Sequence, residues 1–504
     1  METRLKPSAL FTDGVVLCRE HEIRIFGEAA DGAMIRVTLY DADRRILAEN
    51  EGAAADGRFL ITLPPQKVRT GCRLTISDGE STVTAEDIAI GDVYLAGGQS
   101  NMELELRNAE EGPDVAAGFR DPLIRFFNVP RIAVADRKQR EAFDATRWRA
   151  AEPGSSEYDS AVAFFFAMKL REKRPDVPVG IIGCYWGGTS VTCWMDEETL
   201  NSLSEGKRYL TEYAAQSGNK TMADYLKEEE AFVRGMDEWN RQAEEYRAAH
   251  PGCGEQEVEK ACGPFPWFPP AGPGSPYRPA GLVDPMLRMV SPVTLTAILY
   301  YQGEEDAGRT DHYDDLMIAM IRLWRKMFMD AELPFLFVQL PMWIGYDAAD
   351  SFRWPLTRLA QAAVRDTVRN TGMICLTDQG EYGNIHPVRK RPVGERLAEL
   401  VGAMLYGGGE VSPRVTGKHV SGNTMTITLS APVIPRDGKI PALLEIAGAD
   451  GRFVPARAVV SENTLRLWAA EIPHPVHARY AWTDFSDKVN LFGKNGLPLE
   501  PFRV

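Results

Sequence analysis

Through the middle of the chain, short apolar runs alternate with segments of helical pattern, and this alternation restricts the fold more than any other feature of the sequence. The runs "DVYLAG", "VPVGIIGC", "TLTAILYYQG", "LPFLFVQLP" and "TGMICLTDQG" are each of buried-strand length. Tyr313, Leu316, Met317, Met320, Ile321 and Trp324 recur at the spacing of one helix face, which places Trp324 in the core. Strands and helices in such alternation predict an α/β fold built on a doubly wound parallel sheet.

The flanks read differently. Residues 1–90 carry β-rich runs between turn signals, among them "HEIRIFGEA", "AMIRVTLYDAD" and "GRFLITLPP", and predict an N-terminal β-sandwich module. The same texture returns in "TMTITLS", "NTLRLWAA" and "ARYAWTDF", so residues 407–504 are expected to form a C-terminal β-module. Residues 91–406 between them form the α/β domain. Within it, residues 201–250 are charge-rich and helical in pattern, and "CGPFPWFPPAGPGSPYRP" is a proline and glycine loop that fits neither element. Together they read as an insertion at about 201–279. A chain of 504 residues is also too long for one hydrophobic core.

Lysine and arginine number 57 against 71 aspartate and glutamate, a net charge of −14, which argues against nucleic acid as a partner. A small anionic substrate in a local pocket is still compatible with that balance. No run approaches the ~18 apolar residues of a membrane span, and "METRLKPSALFTDG" lacks a basic segment followed by an apolar core. The expectation is a soluble, cytoplasmic protein with no membrane partner, although a secreted form with its leader removed reads the same way. Seven cysteines without CxxC spacing indicate reduced thiols rather than a disulfide framework or a zinc site. Nothing in the sequence fixes an oligomeric state.

In an open parallel sheet, ligands bind beyond the carboxyl ends of the strands, so the residues that follow each run are the candidates for chemistry. Gly97-Gly98-Gln99-Ser100-Asn101, Trp186-Gly187-Gly188, Gln302-Gly303-Glu304 and the loop carrying His386 stand there. They supply what ester hydrolysis requires: a hydroxyl nucleophile, a proton acceptor and N–H donors for a developing oxyanion. Each has a plain structural alternative. Ser100 fits a helix N-cap, Gly187-Gly188 a tight turn, Gln302 and Glu304 partners for backbone groups at a strand end, and His386 a surface histidine. Their joint position at strand ends favours the catalytic reading. Met102 stands where a G-x-S-x-G elbow has its second glycine, which argues against a standard α/β-hydrolase site. HExxH, Walker A and GxGxxG patterns are absent from the sequence, so metalloprotease, P-loop and dinucleotide readings have no local support.

The blocks "GDVYLAGGQSNMELEL", "GIIGCYWGGTSVTCWM", "AILYYQGEEDA", "LPFLFVQLP" and "GNIHPVRKRPVGERLA", in this order, resemble the sialate O-acetylesterase family of the SGNH-hydrolase superfamily. The C-terminal "YAWTDFSDKVNLFGKNGLPLEPFRV" is similar to that family's end, while residues 201–279 match it poorly. The resemblance implies removal of O-acetyl groups from sialic acid, typically at the 9-O position, by a serine mechanism without metal or other cofactor. It implies Ser100 as nucleophile, His386 as general base, and an oxyanion hole from the N–H groups of Ser100 and Gly188, with Gly187 the alternative, and the Gln302 side chain. The family commonly has an aspartate three residues before the histidine, where this chain has Gly383. Either a backbone carbonyl, or Glu381 or Asp378 from farther back, is then left to orient His386, and a Ser-His dyad is the other arrangement open. Glu305, in "QGEEDA", adds a carboxylate where the family more often has serine.

Around these residues, Asn101, Trp186, Glu304 and Trp343 are candidates for substrate contact, with core packing the alternative for the tryptophans and for Tyr301. Arg389 and Lys390 suit either a sialate carboxylate or a solvated start to the next helix. The partner implied is a small-molecule or glycan substrate, O-acetylated sialic acid in particular. Rival readings are an acetylesterase for another acetylated glycan such as xylan, a non-catalytic carbohydrate-binding protein, and a lipase or thioesterase.

Overall fold

The structure, a computed structural model, describes residues 5–504 apart from 268 and 347 and the side chains of 255 and 437. Residues 1–4 of the N-terminal stretch and Phe268 of the proline and glycine loop therefore lie outside the described residues.

One strand organises the molecule. Thr82–Gly98 alternates polar and apolar residues over its first turns of sequence and is buried without interruption from Ile88 onward. The alternating half suits a sheet with one wet face, and the apolar half suits a strand covered on both faces. Accordingly, the first half pairs antiparallel with Arg69–Ser77 in the N-terminal β-region. The second half runs parallel to Val179–Tyr185 on one side and to Ala297–Tyr301 on the other. The expected boundary at residue 90 thus falls inside a strand shared by both regions.

The large sheet continues in the order Asp121–Asn128, Val179–Tyr185, Thr82–Gly98, Ala297–Tyr301, Phe335–Val338 and Thr371–Ile374, all parallel, with Arg149–Ala151 antiparallel at one edge. Successive side chains of the central strand enter different cores, as the two-residue period of a strand requires. Tyr94 and Ala96 pack with Phe164, Phe166 and Leu397 from the helices Ala161–Lys173 and Arg391–Leu405. Val93 and Leu95 share the opposite cluster with Trp324 from the helix Tyr313–Met327. Trp324 is fully buried, as its place on the apolar stripe requires.

The result is a mixed α/β structure with further β-regions at either end. Ile25 and Ile61 of a separate N-terminal sheet share a core with Val37 and Leu74, and the C-terminal sheets enclose Met425, Leu465, Ile446 and Tyr480. Residues 201–279 supply the helices Ser204–Ser217, Met222–Ala249 and Glu255–Cys262, followed by the proline and glycine loop. The long helix starts at a capping box in which Thr221 and Asp224 satisfy each other's backbone N–H groups.

Because its two parallel neighbours lie on opposite sides, the central strand ends at the point where the strand order reverses, and a crevice opens beyond its carboxyl end. Gly98 sits at that end with φ +132°, and an added Cβ would collide with the Tyr301 carbonyl of the adjacent strand. Only glycine lets the chain leave the sheet while the Gln99 N–H still donates to Tyr301 O at 3.0 Å. Gly98→Ala is expected to destabilise the fold by about 2–4 kcal/mol, read as a lower Tm and a lower denaturant midpoint. An unchanged Tm would show that this close approach places no demand on residue 98.

Candidate active site

Just beyond the central strand, residues Ser100–Glu103 form a single helical turn whose N-cap is Gln99, without a side-chain cap bond. Ser100 is therefore the first helical residue and not the cap that a serine here suggests. Its hydroxyl faces the loop before the helix Arg391–Leu405, where His386 Nε2 lies 2.8 Å from Ser100 Oγ. Residues 286 positions apart in sequence are thus in hydrogen-bond contact at the mouth of a cavity of about 650 Å³, which both line.

Asn101 has no access to substrate. It is fully buried, and its amide nitrogen donates to Glu304 Oε1 at 2.5 Å and to Ile385 O at 3.0 Å. Its amide oxygen accepts from Lys390 Nζ at 2.5 Å. One side chain thereby ties the Ser100 turn to the loop after Ala297–Tyr301 and to both sides of His386. Burial pushes the Glu304 carboxyl up and the Lys390 ammonium down to about 7, in each case against the attraction of the other's charge. Lys390 is buried above the Tyr301 ring, with its nitrogen 5.6 Å from the centroid, and does not meet solvent as a substrate contact. Glu304 reaches the cavity wall, with Oε2 lacking a hydrogen-bond partner among the described residues.

Desolvation around the cavity, followed by repulsion from the Lys390 ammonium, holds the His386 imidazolium below its ordinary range. The residue as a whole remains open to solvent, which screens both effects. The direction favours neutral imidazole near pH 7, the form that accepts a proton. Neither acid expected from the sequence touches the ring. Asp378 is locked in a bidentate pair with Arg396, both bonds 2.7 Å. Glu381 accepts from Asn384 Nδ2 at 2.7 Å and from the Val388 N–H at 3.1 Å, and Asn384 Oδ1 in turn accepts the His386 backbone N–H at 2.9 Å. Glu381 shapes the histidine loop rather than the imidazole. Gly383 is also explained: it has φ +74°, and an added Cβ would collide with the Tyr346 ring, so an aspartate has no room there.

The donors sort themselves by what they already bind. The Gly187 N–H donates to Glu103 Oε2, and Glu103 also pairs with Arg131. The N–H groups of Ser100 and Gly188 have no acceptor among the described residues. Gln302, expected as a side-chain donor, lies behind the site. Its Nε2 donates to Thr189 O at 3.2 Å and Asp306 Oδ2 at 2.6 Å, and its Oε1 accepts from Tyr313 OH at 3.0 Å. It belongs to a buried network around Asp306, which also accepts from Ser190 Oγ, Tyr209 OH and the Val191 N–H. The amide that does reach the cavity is Gln99, whose oxygen holds the N–H groups of Gly303 and Glu305 at 3.4 and 3.3 Å. Its Nε2 has no partner among the described residues. Position alone signalled it, since it lies between Gly98 and Ser100.

Trp186 lines the cavity as expected. Trp343 does not: its ring packs on Trp354 with centroids 5.0 Å apart, and its backbone N–H donates to Asp484 O. Arg389 is exposed and is not among the cavity's lining residues. The sequence reading missed Glu103, and it missed Phe265, Trp267 and Tyr277, which bring aromatic surface to the cavity from the proline and glycine loop. Aromatic residues between prolines in that loop were the available signal.

Comparison with known proteins finds carbohydrate esterases. Residues 276–401, which include His386, match the family model of a carbohydrate esterase, the sialic acid-specific acetylesterase. The resemblance drawn from the sequence blocks is borne out. The sialate O-acetylesterase of Rattus norvegicus is 25% identical over 76% of this chain and 70% of its own. That of Homo sapiens is 23% identical over 95% of this chain and 88% of its own. A carbohydrate acetylesterase from Xanthomonas citri superposes with a TM-score of 0.75 at 26% identity, covering 99% of both chains.

The electrostatics of His386 give a direct expectation. Its imidazole should titrate below the usual ~6.5 of histidine, followed by NMR of ring-labelled protein, and Lys390→Gln should move the titration upward by removing a neighbouring cation. A midpoint above the usual value, or one that falls in Lys390→Gln, would contradict this reading.

Proposed function

The chain is a carboxylic ester hydrolase, and we propose that it removes O-acetyl groups from sugar hydroxyls through an acetyl-serine on Ser100, with 9-O-acetylated sialic acid as its substrate. The observation that carries this is the 2.8 Å contact between His386 Nε2 and Ser100 Oγ at the cavity mouth. In this reading the large sheet is of SGNH type and the catalytic unit is a Ser-His dyad. Ser100 Oγ attacks the acetyl carbonyl while His386 Nε2 takes its proton. The carbonyl oxygen becomes an oxyanion within reach of the Ser100 and Gly188 N–H groups, with Gln99 Nε2 replacing Gln302 as the side-chain donor. His386 then protonates the departing sugar oxygen. A water molecule, giving its proton to the same imidazole, attacks the acetyl-serine, and acetate leaves as Ser100 recovers its hydrogen.

In this reading the cycle runs without a carboxylate as third member. A carboxylate in that place fixes the tautomer and stabilises the imidazolium, whereas the surroundings of His386 act only on the resting state, keeping the imidazole neutral and able to take the Ser100 proton. The sequence and structural relatives support an acetylated carbohydrate as substrate. One observation favours a second carrier: the cavity is lined by Glu103, Glu105, Glu304 and Glu305, with no arginine or lysine among its lining residues. A sialate carboxylate finds no cation there, and a neutral acetylated glycan such as an acetylated xylan meets no such mismatch.

Acetate release from 9-O-acetylated N-acetylneuraminic acid and from acetylated xylo-oligosaccharide tests both carriers. Wild type is expected to hydrolyse the sialate ester. Ser100→Ala is expected to lose on the order of 10⁴-fold or more in turnover, and Gln99→Ala about 10²-fold. Turnover of the xylan ester alone would move the carrier and keep the serine mechanism. Equal turnover by Ser100→Ala and wild type would overturn the mechanism. The kcat/KM profile of wild type should keep its acid limb below pH ~6.5, since the base must be unprotonated and its pKa is depressed.

A further inference from the structure

Beside the Ser100–His386 pair runs an aromatic series that no step of the hydrolysis uses. Trp239, on the long helix Met222–Ala249, fixes its indole by donating from Nε1 to Gly263 O at 2.9 Å. Phe265 meets it edge-on at 4.9 Å, lies nearly parallel to Trp267 at 20° and 6.3 Å, and Trp267 in turn meets Tyr277 edge-on at 5.8 Å. Phe265, Trp267 and Tyr277 line the same cavity as Ser100 and His386. The indole of Trp267 also rests on Gly188: this glycine has φ +71°, and an added Cβ would collide with the indole ring. The shelf therefore stands beside the Gly188 N–H assigned to the oxyanion.

Two features argue that this surface receives a ligand. Trp267 remains 37% exposed although it is among the largest apolar side chains of the region. Its loop is also held in place, before Trp267 by the Trp239 bond to Gly263 and after it at three points. Gly272 exchanges hydrogen bonds with Tyr213 OH at 2.9 Å, Lys220 Nζ donates to Ala271 O at 3.1 Å, and the Ala280 N–H donates to Thr192 O at 2.9 Å. A pinned, exposed indole within a cavity of about 650 Å³ is prepared surface, and the cavity has the size of a small-ligand site, larger than an acetyl group needs. Flat aromatic faces suit the C–H faces of a pyranose ring, which are apolar while its rim is polar. Phe265, Trp267 and Tyr277 all lie within residues 201–279, the stretch of helices and the proline and glycine loop.

We propose that Phe265, Trp267 and Tyr277 form the subsite that binds the pyranose ring of the acetylated sugar, so that the proline and glycine loop, rather than the Ser-His pair, sets the enzyme's preference for sugar esters over simple acetyl esters. The inference rests on the acetylesterase reading above.

The test compares wild type, Trp267→Ala and Trp267→Phe on p-nitrophenyl acetate, 9-O-acetylated N-acetylneuraminic acid and acetylated xylo-oligosaccharide, with Tm recorded for each protein. For whichever sugar ester wild type hydrolyses, Trp267→Ala is expected to raise KM about tenfold, the scale of an aromatic contact. The selectivity for sugar ester over p-nitrophenyl acetate should fall by a similar factor, and Trp267→Phe should recover most of it. An equal loss of kcat on all three esters with KM unchanged would make Trp267 a support for the Gly188 turn and overturn the subsite. A second measurement keeps the two readings apart: tryptophan fluorescence of the Ser100→Ala and Ser100→Ala/Trp267→Phe proteins, titrated with each acetylated sugar. Saturable change in the first and loss of it in the second supports the shelf, and no saturable change in the first overturns it. Wild type that hydrolyses p-nitrophenyl acetate but neither sugar ester would instead count against the carbohydrate reading on which the subsite rests.

Discussion

The buried side chain of Asn101 is the joint on which the site depends. It makes contacts in three directions, to Glu304, to Ile385 O and to Lys390, and it does so without exposure to water. Buried polar groups of this kind are costly unless fully satisfied, so the three segments that carry them are held in one arrangement. Ser100 is the preceding residue on one of these segments, and His386 lies between Ile385 and Lys390 on another. The contact between nucleophile and base is thus set by a neighbour that touches neither the substrate nor the reacting atoms. The same joint places the Lys390 ammonium where it depresses the histidine.

A second constraint is the close approach of neighbouring groups to three glycines in the segments beyond the strands. Gly98, Gly188 and Gly383 each hold a positive φ where an added Cβ would strike a neighbour: the Tyr301 carbonyl, the Trp267 indole and the Tyr346 ring in turn. The first sets the angle at which the chain leaves the sheet toward Ser100. The second lets an aromatic wall close on the turn whose N–H is free for an oxyanion. The third removes the position from which an acid would reach His386, and the histidine loop is instead braced by Glu381 through Asn384. Close packing at the ends of a twisted parallel sheet and the chemistry of the site are, in this molecule, the same geometric problem.

Much of this was legible in the sequence, for identifiable reasons. Apolar runs of fixed length mark buried strands, and because ligand sites lie beyond their carboxyl ends, position brought the segments of Ser100, Gly188 and His386 under consideration. The helix over Tyr313–Met327 and the burial of Trp324 followed from periodicity alone. Direction within a loop was not legible. Gln99 and Gln302 are both amides at strand ends, yet only Gln99 lines the cavity, because Gln302 is captured by Asp306, Thr189 and Tyr313. Asn101 read as a substrate contact and Lys390 as a carboxylate partner or a solvated helix start, and only the folded structure shows that they are buried against each other. Asp378 and Glu381 were plausible acids until their partners, Arg396 and Asn384, were seen. Trp343 and Trp267 illustrate the same point: tryptophans carry no mark that separates a ring packed on Trp354 from one left open above a glycine.

The central claim is that His386 activates Ser100 as a nucleophile. Labelling with a fluorophosphonate, which needs an activated hydroxyl but no sugar, tests it most directly when the modified residue is located by peptide mass mapping. The account predicts one adduct, on Ser100, forming in wild type and slowed at least ~100-fold in His386→Ala. An adduct on another residue, or labelling of Ser100 at the same rate in His386→Ala, would contradict it.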